Sequence, residues 1–184
     1  IDRKKTKAIL INTPANPTGN VLSKKILEEI ADIAVNNNVY IYSDEAYEKI
    51  IFDKKHISVA SLNGMEKNVI TFQTFSKSYA MCGFRVGYAV GPRNLIEAMK
   101  KSHIYTTLCA PTISQIVAKK ALEGGNAYTE KMRQEYDKRR SLIVKRLNEI
   151  GLPTIMPQGA FYTFSNISSV RDESFKFAHD LLQK

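Results

Sequence analysis

The sequence has little of the material from which metal sites and disulfide frameworks are built. Its 184 residues contain two cysteines, Cys82 and Cys109, no tryptophan, and three histidines that lie far apart. The cysteines form no Cys-x-x-Cys pair, which is typical of the reducing cytoplasm, where we expect this protein to act. Scattered histidines do not offer the clustered ligands of a zinc site, so we predict no metal centre.

Long apolar runs are also missing. No apolar stretch approaches the ~20 residues that a membrane-spanning helix needs, and the basic residues after Ile1 lead into no signal-peptide core. We therefore expect no membrane partner. The chain starts without methionine and stops inside a helical pattern at Lys184, so we expect a fragment of a longer protein.

The composition is that of a folded domain with a basic surface. Apolar residues make up 43% of the chain, and 27 basic against 18 acidic residues give a net charge of +9. The lysines are spread along predicted helix faces, as at Lys24, Lys100 and Lys119, and no basic stripe is interleaved with stacking aromatic side chains. We therefore predict a solvated basic surface and no nucleic-acid partner.

Short apolar runs alternate with helical patterns over residues 1–90. Strands are predicted at 8–12, 39–42, 69–72 and 86–90, with a further strand-like run at 161–164. The periodicity predicts helices at 22–37, 94–105, 112–122, 126–150 and 173–183. Unbroken apolar strands separated by helices indicate a mostly parallel sheet flanked by helices, and so an α/β fold.

Polar side chains follow each of the first three predicted strands. In an open α/β sheet, ligands bind outside the carboxyl ends of the strands, so we expect these side chains to converge on one rim. The candidate residues, in chain order, are Asn16, Asp44, Tyr47, Thr74, Ser76, Lys77 and Arg85.

This set of side chains matches the chemical groups of pyridoxal phosphate. A lysine amine attacks carbonyls when its pKa is lowered, and an arginine fork beside hydroxyl groups binds phosphate. A carboxylate can hold a proton on a ring nitrogen, and a phenol or an amide can bond a ring oxygen. Pyridoxal phosphate carries an aldehyde, a phosphate, a pyridine nitrogen and a phenolic oxygen, and it is normally held by a lysine and an acidic partner.

Four segments resemble one enzyme family. Residues 74–88 (TFSKSYAMCGFRVGY) resemble the cofactor-lysine signature of the class I and II aminotransferases, the aspartate aminotransferase-like group with the type I pyridoxal-phosphate fold. Residues 16–19 (NPTG) and 44–47 (DEAY) resemble that family's other two cofactor motifs. Residues 157–162 (PQGAFY) resemble its entry into the small domain.

The resemblance implies a role for each candidate residue. Lys77 would form the Schiff base and, with Asp44 and Tyr47, make up the catalytic set. Asp44 would pair with the pyridine nitrogen, and Tyr47 and Asn16 would bond the phenolic oxygen. The remaining residues would hold the phosphate: Arg85 together with Thr74 or Ser76. Thr74 departs from the family, which usually has serine or glycine there.

The resemblance also implies the organisation of the parent protein. Residues 1–135 would be part of the large cofactor-binding domain, and residues 136–184 would be the start of a C-terminal α+β small domain, reached through the long helix. The full-length protein would be a homodimer. The ring that stacks on the cofactor and the arginine that binds the substrate carboxylate would lie outside this chain, so the fragment alone need not be active.

The function implied is amino transfer between an L-amino acid, aspartate-like or aromatic, and a 2-oxo acid. Two alternatives stay open from the sequence: a lyase or decarboxylase on the same scaffold, and the cofactor-binding sensor half of a DNA-binding regulator. We interpret Phe161 and Tyr162 as packing residues, Cys82 as a buried thiol, and Arg140 on the long helix as a solvated side chain.

Overall fold

The fold is built on one four-stranded sheet, seen in a computed structural model that describes residues 1–2 and 4–184. The strands are β1 (Ala8–Asn12), β2 (Tyr40–Asp44), β3 (Val69–Thr74) and β4 (Gly87–Val90). The helices are α1 (Lys24–Asn37), α2 (Phe75–Ser78), α3 (Arg93–Thr107), α4 (Thr112–Gly124), α5 (Asn126–Glu149) and α6 (Ser174–Leu182).

The strands lie in the order in which the chain makes them. β1 pairs with β2 and β2 with β3 in parallel, whereas β4 runs antiparallel to β3. Asn12 is opposite Asp44, and Asp44 is opposite Phe72, so the carboxyl ends of the parallel strands lie side by side. The antiparallel pairing sets Gly87, the first residue of β4, opposite Thr74 at the same edge. The predicted mostly parallel sheet is confirmed.

The main core lies between the sheet and α1. Leu27 and Ala34 on α1 are fully buried, and they belong to one apolar cluster with Ile41 of β2. Ser23 caps the start of α1 by accepting a hydrogen bond from the backbone N–H of Ile26. Asn38 ends the helix in the left-handed conformation, which asparagine tolerates better than most residues. The local sequence therefore fixes both ends of the helix that covers this face.

The strand-like run at 161–164 is not a strand, so that prediction is wrong. The chain turns at Ala160, which has a φ of +58°. Around the turn only isolated bridges form, between Gly159 and Ile51 and between Thr154 and Ser165. The half-buried Tyr162 packs its ring against Tyr47 and Phe161 and takes no part in a ladder of backbone hydrogen bonds.

Arg140 on α5 is buried, so its interpretation as a solvated side chain is wrong. Its side chain is 9% exposed and donates hydrogen bonds to Asp53, Asp137 and the Pro157 carbonyl. Its guanidinium carbon lies 4.2 Å from the centre of the Phe52 ring. The hydrogen bond from Arg140 holds the pKa of Asp53 below its usual value. Arg140 therefore connects α5 to the loop that contains Asp53 and to the loop that contains Pro157.

The proposed domain boundary falls inside one continuous helix. α5 runs for 24 residues through positions 135 and 136 without interruption. The division into residues 1–135 and 136–184 stays a prediction.

Among the described residues, no helix combines the length and the apolar character needed to cross a bilayer.

Replacing Leu27 with alanine is expected to lower the free energy of unfolding by about 2–5 kcal/mol, because a fully buried side chain leaves a cavity. Urea unfolding followed by circular dichroism measures the loss. Ile33→Ala on the same helix is the control, since Ile33 is 47% exposed and should cost far less. Equal losses for the two variants would contradict the assignment of the core to this face of α1.

Candidate active site

The carboxyl ends of β1, β2 and β3 are tied together around Asp44. The Asp44 carbonyl accepts hydrogen bonds from the Thr13 backbone N–H at 3.1 Å and from the Asn12 side-chain amide at 3.2 Å. On the other side, the Glu45 backbone N–H donates to the Phe72 carbonyl at 3.1 Å. These bonds fix the position at which the Asp44 side chain leaves the sheet.

Asp44 also shapes the turn that carries Tyr47. Its Oδ1 atom accepts a hydrogen bond from the Ala46 backbone N–H at 3.1 Å, and the residue is half-buried. A carboxylate that bonds the backbone two residues on forms an Asx-turn. The turn places Tyr47 beside Asp44, so the two predicted catalytic groups are held by one local structure.

Tyr47 is buried among aromatic rings. Its side chain is 3% exposed, and its ring stands edge-on to those of Phe161 and Tyr162, with centres 5.3 Å and 5.6 Å apart. Its hydroxyl lies 2.5 Å from the Tyr162 hydroxyl. Burial, and to a lesser extent the charge of Asp44, raise the pKa of Tyr47. The phenol therefore stays protonated and keeps a hydrogen to donate.

Lys77 lies on the short helix α2 at the end of β3. Thr74 caps that helix, because its hydroxyl oxygen accepts a hydrogen bond from the Ser76 backbone N–H at 3.1 Å. Lys77 is half-buried, and its Nζ atom is 5.5 Å from the centre of the Phe161 ring. Since Tyr47 packs against the same ring, Phe161 links the lysine to the Asp44–Tyr47 turn.

Arg85 lies in the loop between α2 and β4. The Phe75 backbone N–H donates to the Val86 carbonyl at 3.2 Å, which holds this loop against the start of α2. Arg85 is exposed, has a φ of +50° and donates to the Cys82 carbonyl at 2.9 Å. The guanidinium is thus at the same edge of the sheet as Lys77. Cys82 itself is exposed, so its prediction as a buried thiol is wrong.

Asn16 lies in a tight turn beside the end of β1. Its backbone N–H donates to the Asn12 Oδ1 atom at 2.7 Å, and the Asn12 amide in turn contacts Asp44. Asn16 is exposed. The turn is therefore next to Asp44, and all seven candidate residues lie along the edge formed by the ends of β1, β2 and β3 and the start of β4.

Residues 157–162 close over two of the motif turns. The Gly19 carbonyl accepts hydrogen bonds from the backbone N–H groups of Gln158 and Gly159, both at 2.9 Å. The Ala160 backbone N–H donates to the Ile50 carbonyl at 2.8 Å, just beyond Tyr47. We call residues 157–162 the brace, because they join the 16–19 turn to the segment that follows Tyr47.

The brace leaves no room for a side chain at Gly19. A Cβ atom there would lie 2.3 Å from the Pro157 Cβ atom and 2.9 Å from the Gly159 carbonyl oxygen, and Gly19 has a φ of +67°. Glycine is thus required both by the close approach and by the left-handed conformation. Gly19 is therefore needed for the close approach of the brace as well as for the conformation of the 16–19 turn.

Phe161 and Tyr162 are functional candidates that sequence reasoning missed by interpreting them as packing. Their position two and three residues after Gly159 was visible in the sequence, as was the family resemblance of residues 157–162. Their contacts with Lys77 and Tyr47, however, join positions more than eighty residues apart along the chain, and no local pattern carries that information.

Glu45, the residue that follows Asp44, has a buried carboxylate. Glu45 is 1% exposed and accepts hydrogen bonds from the Ser43 and Ser58 hydroxyls at 2.8 Å and 2.9 Å and from the His56 Nε2 atom at 2.7 Å. One possible metal-ligand atom from each of Glu45, Glu48 and His56 lies within 4.8 Å of the other two. Because both Glu45 oxygens already accept protein hydrogen bonds, we interpret the group as a structural network and not as a metal site.

The sequence profile of the family described as aminotransferase class I and II matches residues 1–184. The chain belongs to this family. Members of the class I and II aminotransferases use pyridoxal phosphate, so the family resemblance of residues 16–19, 44–47 and 74–88 and the predicted cofactor class are both confirmed.

Relatives with established names are also aminotransferases. The chain is 48% identical over 184 residues to an aspartate aminotransferase of Pyrococcus abyssi, covering 98% of this chain and 47% of the relative. It is 46% identical to aromatic-amino-acid aminotransferase 2 of Thermococcus litoralis, with 98% and 47% covered. The crystal structure of an aromatic aminotransferase from Pyrococcus horikoshii superposes with a TM-score of 0.94 at 47% identity, covering 100% of this chain and 49% of that one. The chain spans about half the length of the curated relatives it matches.

The residues at this edge fit the aminotransferase cofactor on chemical grounds. The half-buried Lys77 amine lies beside Phe161, the protonated Tyr47 phenol lies beside the Asp44 carboxylate, and the Arg85 guanidinium is on the adjoining loop. These groups complement an aldehyde, a phenolic oxygen, a ring nitrogen and a phosphate, respectively. The fit rests on the donor set and on its placement along one edge.

Replacing Glu45 with glutamine is expected to lower the free energy of unfolding by about 1–3 kcal/mol. An amide presents an NH2 group in place of one carboxylate oxygen. Either the Ser43 and Ser58 hydroxyls lose their acceptor, or His56 moves its ring proton from Nε2 to Nδ1, a buried atom that has no hydrogen-bond partner. Chemical denaturation measures the change. Glu66→Gln is the control, because Glu66 is exposed and its variant should stay within about 0.5 kcal/mol of the wild type. A Glu45→Gln protein as stable as the control would show that the network contributes nothing.

Proposed function

We propose that the protein containing this chain is a pyridoxal-phosphate-dependent aminotransferase. It would move an amino group between an L-amino acid, aspartate-like or aromatic, and a 2-oxo acid. The observation that supports this most directly is the position of the Lys77 amine. It lies at the same sheet edge as Asp44 and Tyr47, in a chain of the class I and II aminotransferase family.

Lys77 would hold the cofactor and then move a proton. When bound, pyridoxal phosphate supplies an aldehyde that amines attack and a ring that withdraws electrons. Lys77 would hold that aldehyde covalently through Nζ. As a free amine, it would move a proton to and from the substrate α-carbon. Its half-buried position beside Phe161 would restrict where the amine can move.

Asp44 and Tyr47 would tune the ring. The Asp44 carboxylate would keep a proton on the ring nitrogen, and the strand-end hydrogen bonds to its backbone hold it in place. Tyr47, whose raised pKa keeps its hydrogen, would donate to the phenolic oxygen together with the Asn16 amide. Both interactions favour an electron-poor ring.

Arg85 would bind the phosphate with help from the hydroxyls of Thr74 or Ser76. The planar guanidinium fork suits phosphate oxygens, and the loop that carries it is bonded to the start of α2. The Thr74 hydroxyl oxygen already caps α2, which leaves its hydrogen for an anion. The Ser76 hydroxyl lies one residue from Lys77 and has no such capping role in α2.

The parent enzyme would be a cytoplasmic homodimer. Apolar side chains on α3, on α4 and in the loop between them are largely exposed, which is unusual for a face that meets only water. These residues are Ile104, Tyr105, Leu108, Ile113 and Ile116. A second subunit, or more of the same chain, would cover them.

The two free cysteines, Cys82 and Cys109, are consistent with a reducing compartment.

Amino transfer is favoured over the alternative functions. A lyase or decarboxylase could use the same Lys77 and Asp44, and a regulator's sensor half could bind the same cofactor. The relatives described above are aspartate and aromatic aminotransferases at 46–48% identity. The net charge of +9 agrees with a regulator as well, but charge balance speaks to solubility more than to function.

Lys77→Ala is the direct test in the full-length protein. The wild type, loaded with pyridoxal phosphate, should convert aspartate or an aromatic amino acid with a 2-oxo acid, and chromatography measures the products. The variant should lose covalent cofactor binding and lower kcat by at least about 10²–10⁴-fold, because the proton-transferring amine is gone. Lys67→Ala is the control, because Lys67 is exposed on a surface turn. Covalent loading and turnover that persist in Lys77→Ala would overturn the proposal.

A further inference from the structure

Tyr162 is the nearest polar partner that the structure gives to the Tyr47 phenol. The two hydroxyls are 2.5 Å apart, and the Tyr162 side chain is half-buried against Tyr47. The role of Tyr47 proposed above uses its hydrogen but leaves its oxygen lone pairs unassigned. Either hydroxyl could donate the hydrogen bond between Tyr47 and Tyr162, so the donor has to be identified.

Counting the hydrogens and lone pairs of the two hydroxyls identifies the donor. A tyrosine hydroxyl has one hydrogen and can accept at its oxygen. If Tyr47 donates its hydrogen to the cofactor's phenolic oxygen, it has none left for Tyr162, so Tyr162 must be the donor of the pair. A hydroxyl that accepts a hydrogen bond becomes a stronger donor itself.

We propose that Tyr162 is a positioning residue, which donates its hydroxyl hydrogen to the Tyr47 oxygen and so aims and strengthens the Tyr47 hydrogen bond to the cofactor. This inference rests on the proposed function. Tyr162 would act through Tyr47 and touch no reacting atom itself.

The brace holds Tyr162 where this role requires it. The backbone bond from Ala160 to Ile50 and the bridge between Gly159 and Ile51 tie the brace to the segment just beyond Tyr47. Both hydroxyl groups are thus carried by parts of the chain that are bonded to each other. The contact does not depend on a freely moving loop.

Other titratable groups surround the pair. Asp44 approaches Tyr47 from β2, Lys77 reaches the neighbouring Phe161 ring from α2, and Tyr136 packs its ring on Phe161 from α5 with centres 5.3 Å apart. Tyr136 belongs to the same aromatic cluster, but the structure gives Tyr47 its hydroxyl partner in Tyr162. Tyr136→Phe is therefore a matched control for the loss of one phenol.

A packing role and a positioning role predict different results for Tyr162→Phe. The phenyl ring keeps nearly all of the packing contacts of the tyrosine and loses only the hydroxyl. A residue that merely packs would leave the cofactor's properties unchanged. If Tyr162 positions Tyr47, the loss of its hydroxyl would weaken the hydrogen bond from Tyr47 to the phenolic oxygen and so raise the proton affinity of that oxygen.

The test uses the full-length protein loaded with pyridoxal phosphate and follows the cofactor's absorption spectrum as a function of pH. Tyr47→Phe should raise the midpoint of the spectral change by about half to one pH unit, since a hydrogen bond that favours the deprotonated oxygen is lost. Tyr162→Phe should raise it in the same direction by less. The double variant should match Tyr47→Phe alone, and Tyr136→Phe should keep the wild-type midpoint.

Kinetics provide a second readout. Tyr162→Phe should lower kcat with little change in KM, as expected for a residue that acts on the cofactor and not on substrate binding. If Tyr162→Phe does not fold, as judged by circular dichroism, Tyr162→Leu also lacks the hydroxyl and should raise the midpoint in the same direction. The size of that shift need not match, because leucine also loses the ring contacts with Tyr47 and Phe161.

Two results would overturn the positioning role while leaving the proposed function intact. One is a wild-type midpoint in Tyr162→Phe. The other is a shift that is equally large in the wild-type and Tyr47→Phe backgrounds, which would mean that the two hydroxyls act independently. A wild-type protein that takes up no cofactor on Lys77 would instead overturn the proposed function, and the positioning role with it.

Discussion

The site depends on the register of three parallel strand ends. Asp44 is opposite both Asn12 and Phe72, and backbone bonds from Thr13 to Asp44 and from Glu45 to Phe72 lock that register. A slip of one residue would turn the Asp44 side chain to the opposite face of the sheet, because side chains alternate along a strand. The orientation of the candidate carboxylate toward the ligand edge is therefore a property of strand pairing and not of a flexible loop.

Buried charge makes the surroundings of the site stiff. Glu45 is one residue from Asp44 and satisfies its carboxylate with three side-chain donors, and Arg140 satisfies its guanidinium with two carboxylates and a carbonyl. Buried charges are tolerated only when partnered in this way, so neither side chain can move without losing several bonds. The two networks hold the Asp44–Tyr47 turn on one side and the start of the brace on the other.

Local signals in the sequence were sufficient for the strands of the sheet, the five longer helices and the edge residues, because apolar periodicity and strand-end polarity are local properties. They did not predict the one-turn helix α2, which is too short to show a period. The same reasoning misplaced residues 161–164, since an apolar run predicts a strand only if a partner strand is available to it. It also missed the roles of Glu45, Tyr162 and Arg140. Tyr162 contacts Tyr47 and Arg140 contacts Asp53, both far away in the chain, and Glu45 bonds residues up to 13 positions away; no local period in a single sequence encodes these contacts.

Phe161 explains why the distant segments form one site. Its ring contacts Tyr47, Tyr136 and the Lys77 amine, and therefore joins the turn after β2 to α5 and α2 at one point. It reaches that point only because Gly19 lacks a side chain and lets the brace approach the 16–19 turn. The glycine of one motif thus sets the position of the aromatic pair that contacts the lysine of another. The spacing between the motifs matters because the brace must bond both turns at once, and a change at either turn would displace Phe161 and Tyr162 together.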